Sequence, residues 1–176
     1  MTTENNFYST ECVSVIYEAF FLDNEEIIQL FSAVRGAEPP YENVTKDFHV
    51  TTAFRPKRDK RRLYGTEVSV HIYAYKNGTV KTDEGNMTSN EGFFCTVSSE
   101  NPQMQKLIDR LENNNHITGS YELNPKYTGF LELNDAQPVD FFVKGRFGGF
   151  FSDGKIYFSP PKPKFFCRRN RINIDS

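Results

Sequence analysis

The chain of 176 residues has little cysteine, little histidine, little net charge and no long apolar run. Its three cysteines, Cys12, Cys95 and Cys167, are too few and too scattered for a disulfide framework or a zinc site. Nowhere do about eighteen apolar residues run together, the length a membrane-spanning helix needs. The opening Met1-Thr2-Thr3-Glu4-Asn5-Asn6 lacks the basic and apolar segments of a secretory signal. These absences lead us to expect a reducing, cytoplasmic setting and no membrane partner. The glycosylation-type triplets beginning at Asn43, Asn77 and Asn86 then read as chance matches in an Asn-rich chain. A formal charge of −2 excludes broad coating of nucleic acid. The basic residues nevertheless cluster, in Arg55–Arg62 (RPKRDKRR) and in the tail Lys162–Arg171 (KPKFFCRRNR). Local basic segments on a nearly neutral chain point to a confined anionic partner, against the plainer alternative of a solvated loop and a loose tail.

What is present fits one domain with a proper core. We expect a two-lobed unit over residues 1–159, a monomer, with residues 1–11 as a frayed lead-in and 160–176 as a basic tail. Val13–Phe21, rich in β-branched and aromatic residues, reads as a strand. Asp23 is placed to cap a helix, with Glu26 three residues on. Ile27, Leu30, Phe31 and Val34 recur at helical spacing, and Gly36 is placed to stop them. Pro39–Thr45 reads as a loop. Tyr64–Tyr75 predicts a strand ending in a tight turn at Asn77-Gly78, and Phe93–Ser98 another strand. Asn101-Pro102 opens a second helix whose apolar face is Met104, Leu107, Ile108 and Leu111, stopped at Asn113–Asn115. Phe141–Val143 and Lys155–Phe158 read as strands, the latter after a turn at Asp153-Gly154.

Two of the three histidines sit in a repeated word. Phe48-His49-Val50-Thr51 and Asn115-His116-Ile117-Thr118 each read histidine, β-branched aliphatic, threonine. On a strand, His and Thr share one face and the aliphatic residue takes the other. The words also share their approach. Glu18-Ala19-Phe20-Phe21, an amphipathic helix and a loop precede the first; Glu91-Gly92-Phe93-Phe94, an amphipathic helix and a loop precede the second. The expected fold is therefore α+β, with two strand–helix–strand lobes bringing antiparallel-rich sheets around a central cleft. In-line cleavage of a phosphodiester needs a base, an acid and donors for the non-bridging oxygens. Imidazoles titrate near neutrality and suit both proton roles, and Thr51 and Thr118 hydroxyls can donate to phosphate. No metal or other cofactor is required, and no carboxylate–histidine cluster presents itself for one.

On these residues the chain resembles the two-histidine (2H) phosphoesterases, the superfamily of LigT-like RNA ligases and cyclic phosphodiesterases, over roughly Val13 to Phe158. The resemblance implies that His49 and His116 act as general base and general acid and that Thr51 and Thr118 orient the phosphate. It implies a substrate that is an RNA end bearing a 2′,3′-cyclic phosphate or a small oligonucleotide, 2′,5′-oligoadenylates and cyclic oligonucleotides of nucleotide signalling among them. The alternatives are a non-catalytic module gripping RNA or nucleotide through the same cleft, and an interaction protein using Lys57–Arg62 and the tail.

Most of the 17 Phe and 9 Tyr must be core. Tyr121 is the best candidate to stack on a base, although it and Phe54 each fall on the strand face opposite the histidine, where core is the simpler role. Arg55, just past the first word, is a candidate to steer phosphate. His71, in VSVHIYAY, reads as an ordinary strand residue. Lys144–Gly149 (KGRFGG) matches neither common nucleotide-binding spacing.

Overall fold

In the computed structural model residues 13–111, 115–132 and 135–159 are described. Their elements run β1 (Val15–Leu22), α1 (Asn24–Arg35), β2 (Asn43–Val44), β3 (His49–Phe54), β4 (Glu67–Lys81), β5 (Met87–Ser98), α2 (Pro102–Ile108), β6 (His116–Tyr121), β7 (Gln137–Phe151) and β8 (Ile156–Tyr157). Short 3-10 turns occupy Arg61–Leu63 and Gly129–Glu132. Every pairing is antiparallel. The sheet order is β2-β6-β5-β4-β7-β1-β3, with β8 added on β7. The molecule is thus α+β and mostly sheet.

Capping chemistry sets both helices. The Asp23 carboxylate accepts from the Glu26 N–H at 2.9 Å, and Gly36, at φ 98°, closes α1 by donating to the Ser32 carbonyl. The Asn101 side chain accepts from Gln103 and Met104, and Pro102 occupies the first turn of α2. Both helices bury an apolar stripe against one face of the sheet. Ile27 and Phe31 of α1 and Met104 and Ile108 of α2 join Phe20, Val50, Ile72, Phe93, Ile117 and Phe147 in one core. Phe31 stacks on Phe93 with ring centres 4.1 Å apart and meets Phe48 and Tyr75 at 5.8 and 6.2 Å. Burial of each such ring contributes about 1.5–3 kcal/mol.

The chain between β2 and β3 joins the two ends of the sheet. Asn43 and Val44 pair with Tyr121 and Ser120 of β6, and the Thr45 N–H donates to the Gly119 carbonyl at 2.8 Å. The chain then leaves β6, and from His49 onward it pairs with β1. The sheet therefore curls until β3 and β6 approach each other. These two strands carry the two histidine words.

Four expectations change. Asn77-Gly78 is not a turn: both residues sit within β4, opposite Glu91 and Asn90. The turn falls at Asp83–Gly85, where Gly85 takes φ 86° and its N–H donates to Thr82. Continued pairing with β5, including a Thr79–Ser89 hydroxyl bond at 2.8 Å, carries the strand past the glycine. Pro39–Thr45 contains the short strand β2. Leu111 lies beyond the end of α2 yet still packs on the core. Phe54 is 66% exposed, with the Arg55 guanidinium over its ring, because it ends the edge strand β3. His71 is a strand residue as expected, stacked on Phe142 at 4.4 Å with its Nε2 2.8 Å from Asp140 Oδ1. The lead-in 1–11, the Asn113-Asn114 part of the helix stop and the basic tail 160–176 lie outside the described residues. No helix among the described residues is long and apolar enough to cross a membrane.

Candidate functional site

Strand alternation divides each histidine word as its residues require. Val50 and Ile117 are buried in the core, while His49 and His116 point to the face away from the helices. Pairing across the sheet fixes that face. Phe21 of β1 lies opposite His49 on one side and Arg146 on the other, and Arg146 lies opposite Glu67. Phe94 of β5 lies opposite His116 and Ala74. Directly paired residues share a face, and the irregularity between Ile72 and Ala74 on β4 connects the two rows. Both histidines therefore occupy the same face of one continuous sheet.

His49 is held tightly. Its ring stacks on Tyr17 at 5.0 Å and tilts against Phe21 at 5.7 Å. Tyr17 in turn stacks on Phe150 at 5.1 Å. Burial, with help from Asp47, pushes the Tyr17 phenol up to about 12, so it stays neutral beside the imidazole. Nδ1 of His49 lies 2.6 Å from the Asp47 carbonyl oxygen. A carbonyl only accepts, so Nδ1 carries the proton and Nε2 keeps a lone pair. Burial holds the proton affinity of His49 below the ordinary imidazole value. The Asp47 carbonyl and carboxylate oppose that shift, and charge on His116 adds to it. His116 meets the edge of the buried Phe130 ring at 5.6 Å, and Phe130 meets Phe94 at 5.8 Å.

Thr51 and Thr118 follow their histidines on the same face, Thr51 exposed and Thr118 half-buried. Among the described residues neither hydroxyl is engaged in a hydrogen bond. The structure thus places His49 and His116 on one face of the sheet, on strands that approach each other, with a threonine two residues past each. It does not bring Tyr121 or Arg55 to them. Tyr121 pairs with Asn43 and Asn90 at the far end of β6, about 16 Å of strand from His116 at the usual rise. Arg55 lies past the opposite end of β3, at φ 47°, its N–H bonded to the Ile16 carbonyl.

Two buried carboxylates lie on the strands next to those of the histidines. Glu91 on β5 receives the Arg35 fork at 2.9 and 3.0 Å, the Tyr75 hydroxyl at 2.7 Å and the Ser120 hydroxyl at 2.9 Å. Glu18 on β1 receives the Tyr64 hydroxyl at 3.0 Å, and Lys60 of the basic loop stands 3.6 Å from its other oxygen. Burial raises the Glu18 carboxyl above the usual range, only partly offset by Lys60 and Tyr64. The loop Arg55–Arg62 is thus anchored at Lys60 rather than wholly solvated, while Lys57, Arg58 and Arg62 stay exposed.

Sequence reasoning missed Arg146, Tyr17 and Phe130. The signal for Arg146 was present. Asp140, Phe142, Lys144 and Arg146 recur at every second position, and all four are exposed, while Val143 and Gly145 between them and Phe147 after them are buried. KGRFGG is therefore strand, and its glycines admit close neighbours: a Cβ on Gly149 would lie 2.5 Å from the Tyr64 hydroxyl. Among the described residues no three His, Cys, Asp or Glu side chains cluster as a metal site would need. Comparison of the chain with family models, with curated proteins and with solved structures returns no match.

Proposed function

We propose that the chain is a phosphodiesterase of the two-histidine kind, acting on RNA ends or small oligonucleotides without need of a metal, with His49 as general base and His116 as general acid. One observation carries this reading, the repetition of strand register around the two words. Phe21, Phe20 and Ala19 oppose His49, Val50 and Thr51; Phe94, Phe93 and Gly92 oppose His116, Ile117 and Thr118. A register irregularity precedes each set, at Glu18/Ala19 and at Asn90/Gly92. From the sheet centre outward the order is β7-β1-β3 one way and β4-β5-β6 the other. A helix links the last two strands of each half, and each half carries a buried glutamate bonded by a tyrosine hydroxyl. We read this as an internal duplication forming two lobes about one site.

In the proposed reaction on a 2′,3′-cyclic phosphate, Nε2 of His49 takes a proton from water. The water oxygen bonds to phosphorus as the bond to O2′ or O3′ breaks. His116, protonated, gives its proton to that leaving oxygen, and Thr51 and Thr118 hold the non-bridging oxygens. The assignment of base and acid follows from the bonded Nδ1 and desolvation of His49, and two nearby imidazoles resist carrying two protons at once. The test is turnover of cyclic-phosphate-ended RNA and of 2′,5′- and 3′,5′-oligoadenylates by wild type, His49→Ala and His116→Ala. Each variant should lose activity by about 10²–10⁴-fold. Tight binding of the panel without cleavage would instead make the chain a binding module.

A further inference from the structure

We infer that a cavity beside His49 is a second nucleotide subsite, so that the preferred substrate is an oligonucleotide with at least one phosphate beyond the reacting one. The inference rests on the proposed reading of the histidines and extends it to substrate length. The cavity, about 270 Å³, is walled by Phe21 and Phe158 and edged by Asp23, Glu67, Lys144 and Arg146. That volume suits one nucleoside rather than a larger ligand.

Three observations join it to the site. Phe21 is shared: its ring contacts His49 at 5.7 Å and meets Phe158 edge-on at 5.7 Å. His49, Phe21 and Arg146 form one cross-strand row, so Arg146 stands two strand spacings, about 10 Å, from the His49 backbone. One nucleotide bridges such a span. Finally, the charges in the cavity are unequally committed. Asp23 caps α1 at 2.9 Å, and Lys144 pairs with Glu67 at 3.1 Å. Arg146 lies over the Phe158 ring at 4.4 Å and has no carboxylate partner among the described residues. A guanidinium that rests over an aromatic ring and has no carboxylate partner can offer its N–H donors to a phosphate.

Binding is measured with the full chain, using adenosine 2′,3′-cyclic phosphate and a four-nucleotide oligoadenylate ending in the same group. The double variant His49→Ala/His116→Ala prevents consumption of either probe. Adding Arg146→Ala should weaken tetranucleotide binding about tenfold and change mononucleotide binding by less than twofold. The slope of log affinity against log salt should fall by about 0.7, the loss of one single-strand phosphate contact. Arg146→Lys should retain that slope. Unchanged tetranucleotide binding, an equal loss on both probes, or an unchanged salt slope overturns the subsite. A wild type that binds the tetranucleotide with the expected Arg146 dependence but cleaves neither probe leaves the subsite standing and removes the proposed activity. A wild type that binds neither probe overturns both.

Discussion

At the scale of single residues, the proposed reaction requires His49 to be neutral and correctly tautomerised. Its Nδ1 proton is committed to a backbone carbonyl, which no side-chain substitution nearby can remove directly. Because burial lowers its proton affinity in the fold, the unfolded chain binds the extra proton first. Folded stability contributed by the neutral ring is present above the unfolded value of about 6.5, and is lost as pH falls toward the folded value. A His49→Gln variant should accordingly lose less stability than wild type between pH 7 and pH 5, measured by urea denaturation at each pH. The same shift places the base limb of the kcat/KM profile below 6.5, and a limb at or above that value would contradict the assignment. The placing of His49 and His116 on two strands was legible in the sequence because each word alternates histidine, aliphatic residue and threonine. Tyr121 and Arg55 lie five and six residues from the histidines, which at the usual rise is about 16 Å or more along the strand.

At the scale of elements, the buried glutamates of β1 and β5 differ in their chemistry, and substitutions should separate them. Glu91 is buried with four hydrogen bonds, including both arms of the Arg35 interaction. Arg35→Ala strands that charge and should cost about 3–5 kcal/mol in chemical denaturation. Glu18 is buried with one hydrogen bond and a more distant lysine, and burial raises its carboxyl above the usual range. Its raised folded pKa favours the protonated form, so its stabilising share is full below the unfolded carboxyl value and declines as pH rises through the folded one. At neutral pH, Glu18→Gln should therefore change stability by less than about 1 kcal/mol, and Glu91→Gln should be the more damaging of the pair. Gly92 occupies the position opposite Thr118, where a Cβ would lie 2.3 Å from the Phe130 ring and 2.5 Å from the Ile117 carbonyl. Gly92→Ala should destabilise by about 1–3 kcal/mol and reduce turnover, since Phe130 braces His116. The caps at Asp23, Gly36 and Asn101 were legible because local hydrogen bonding alone decides them. The reach of β4 through Asn77-Gly78 was not, because only its partner strand keeps an Asn-Gly pair extended.

For the whole molecule, closure of the sheet is the decisive event. Segment 43–54 pairs first with β6 and then with β1, and that switch sets the histidine strands side by side on a common face. Nothing in the order of residues announces it, since Asn43-Val44 is too short a strand to read and its partner lies far along the chain. The antiparallel, α+β character was legible from alternation and from the two amphipathic helices. The row running through Phe21 to Arg146 exists only once β7 lies beside β1. The central claim, that this common face performs two proton transfers on one phosphodiester, is tested most directly by the substrate panel in chelator, with wild type, both single histidine variants and the double variant, each checked for an unchanged thermal midpoint. Wild type should cleave at least one diester, and every variant should lose about 10²-fold or more of that activity. Cleavage by the double variant at the wild-type rate would contradict that claim.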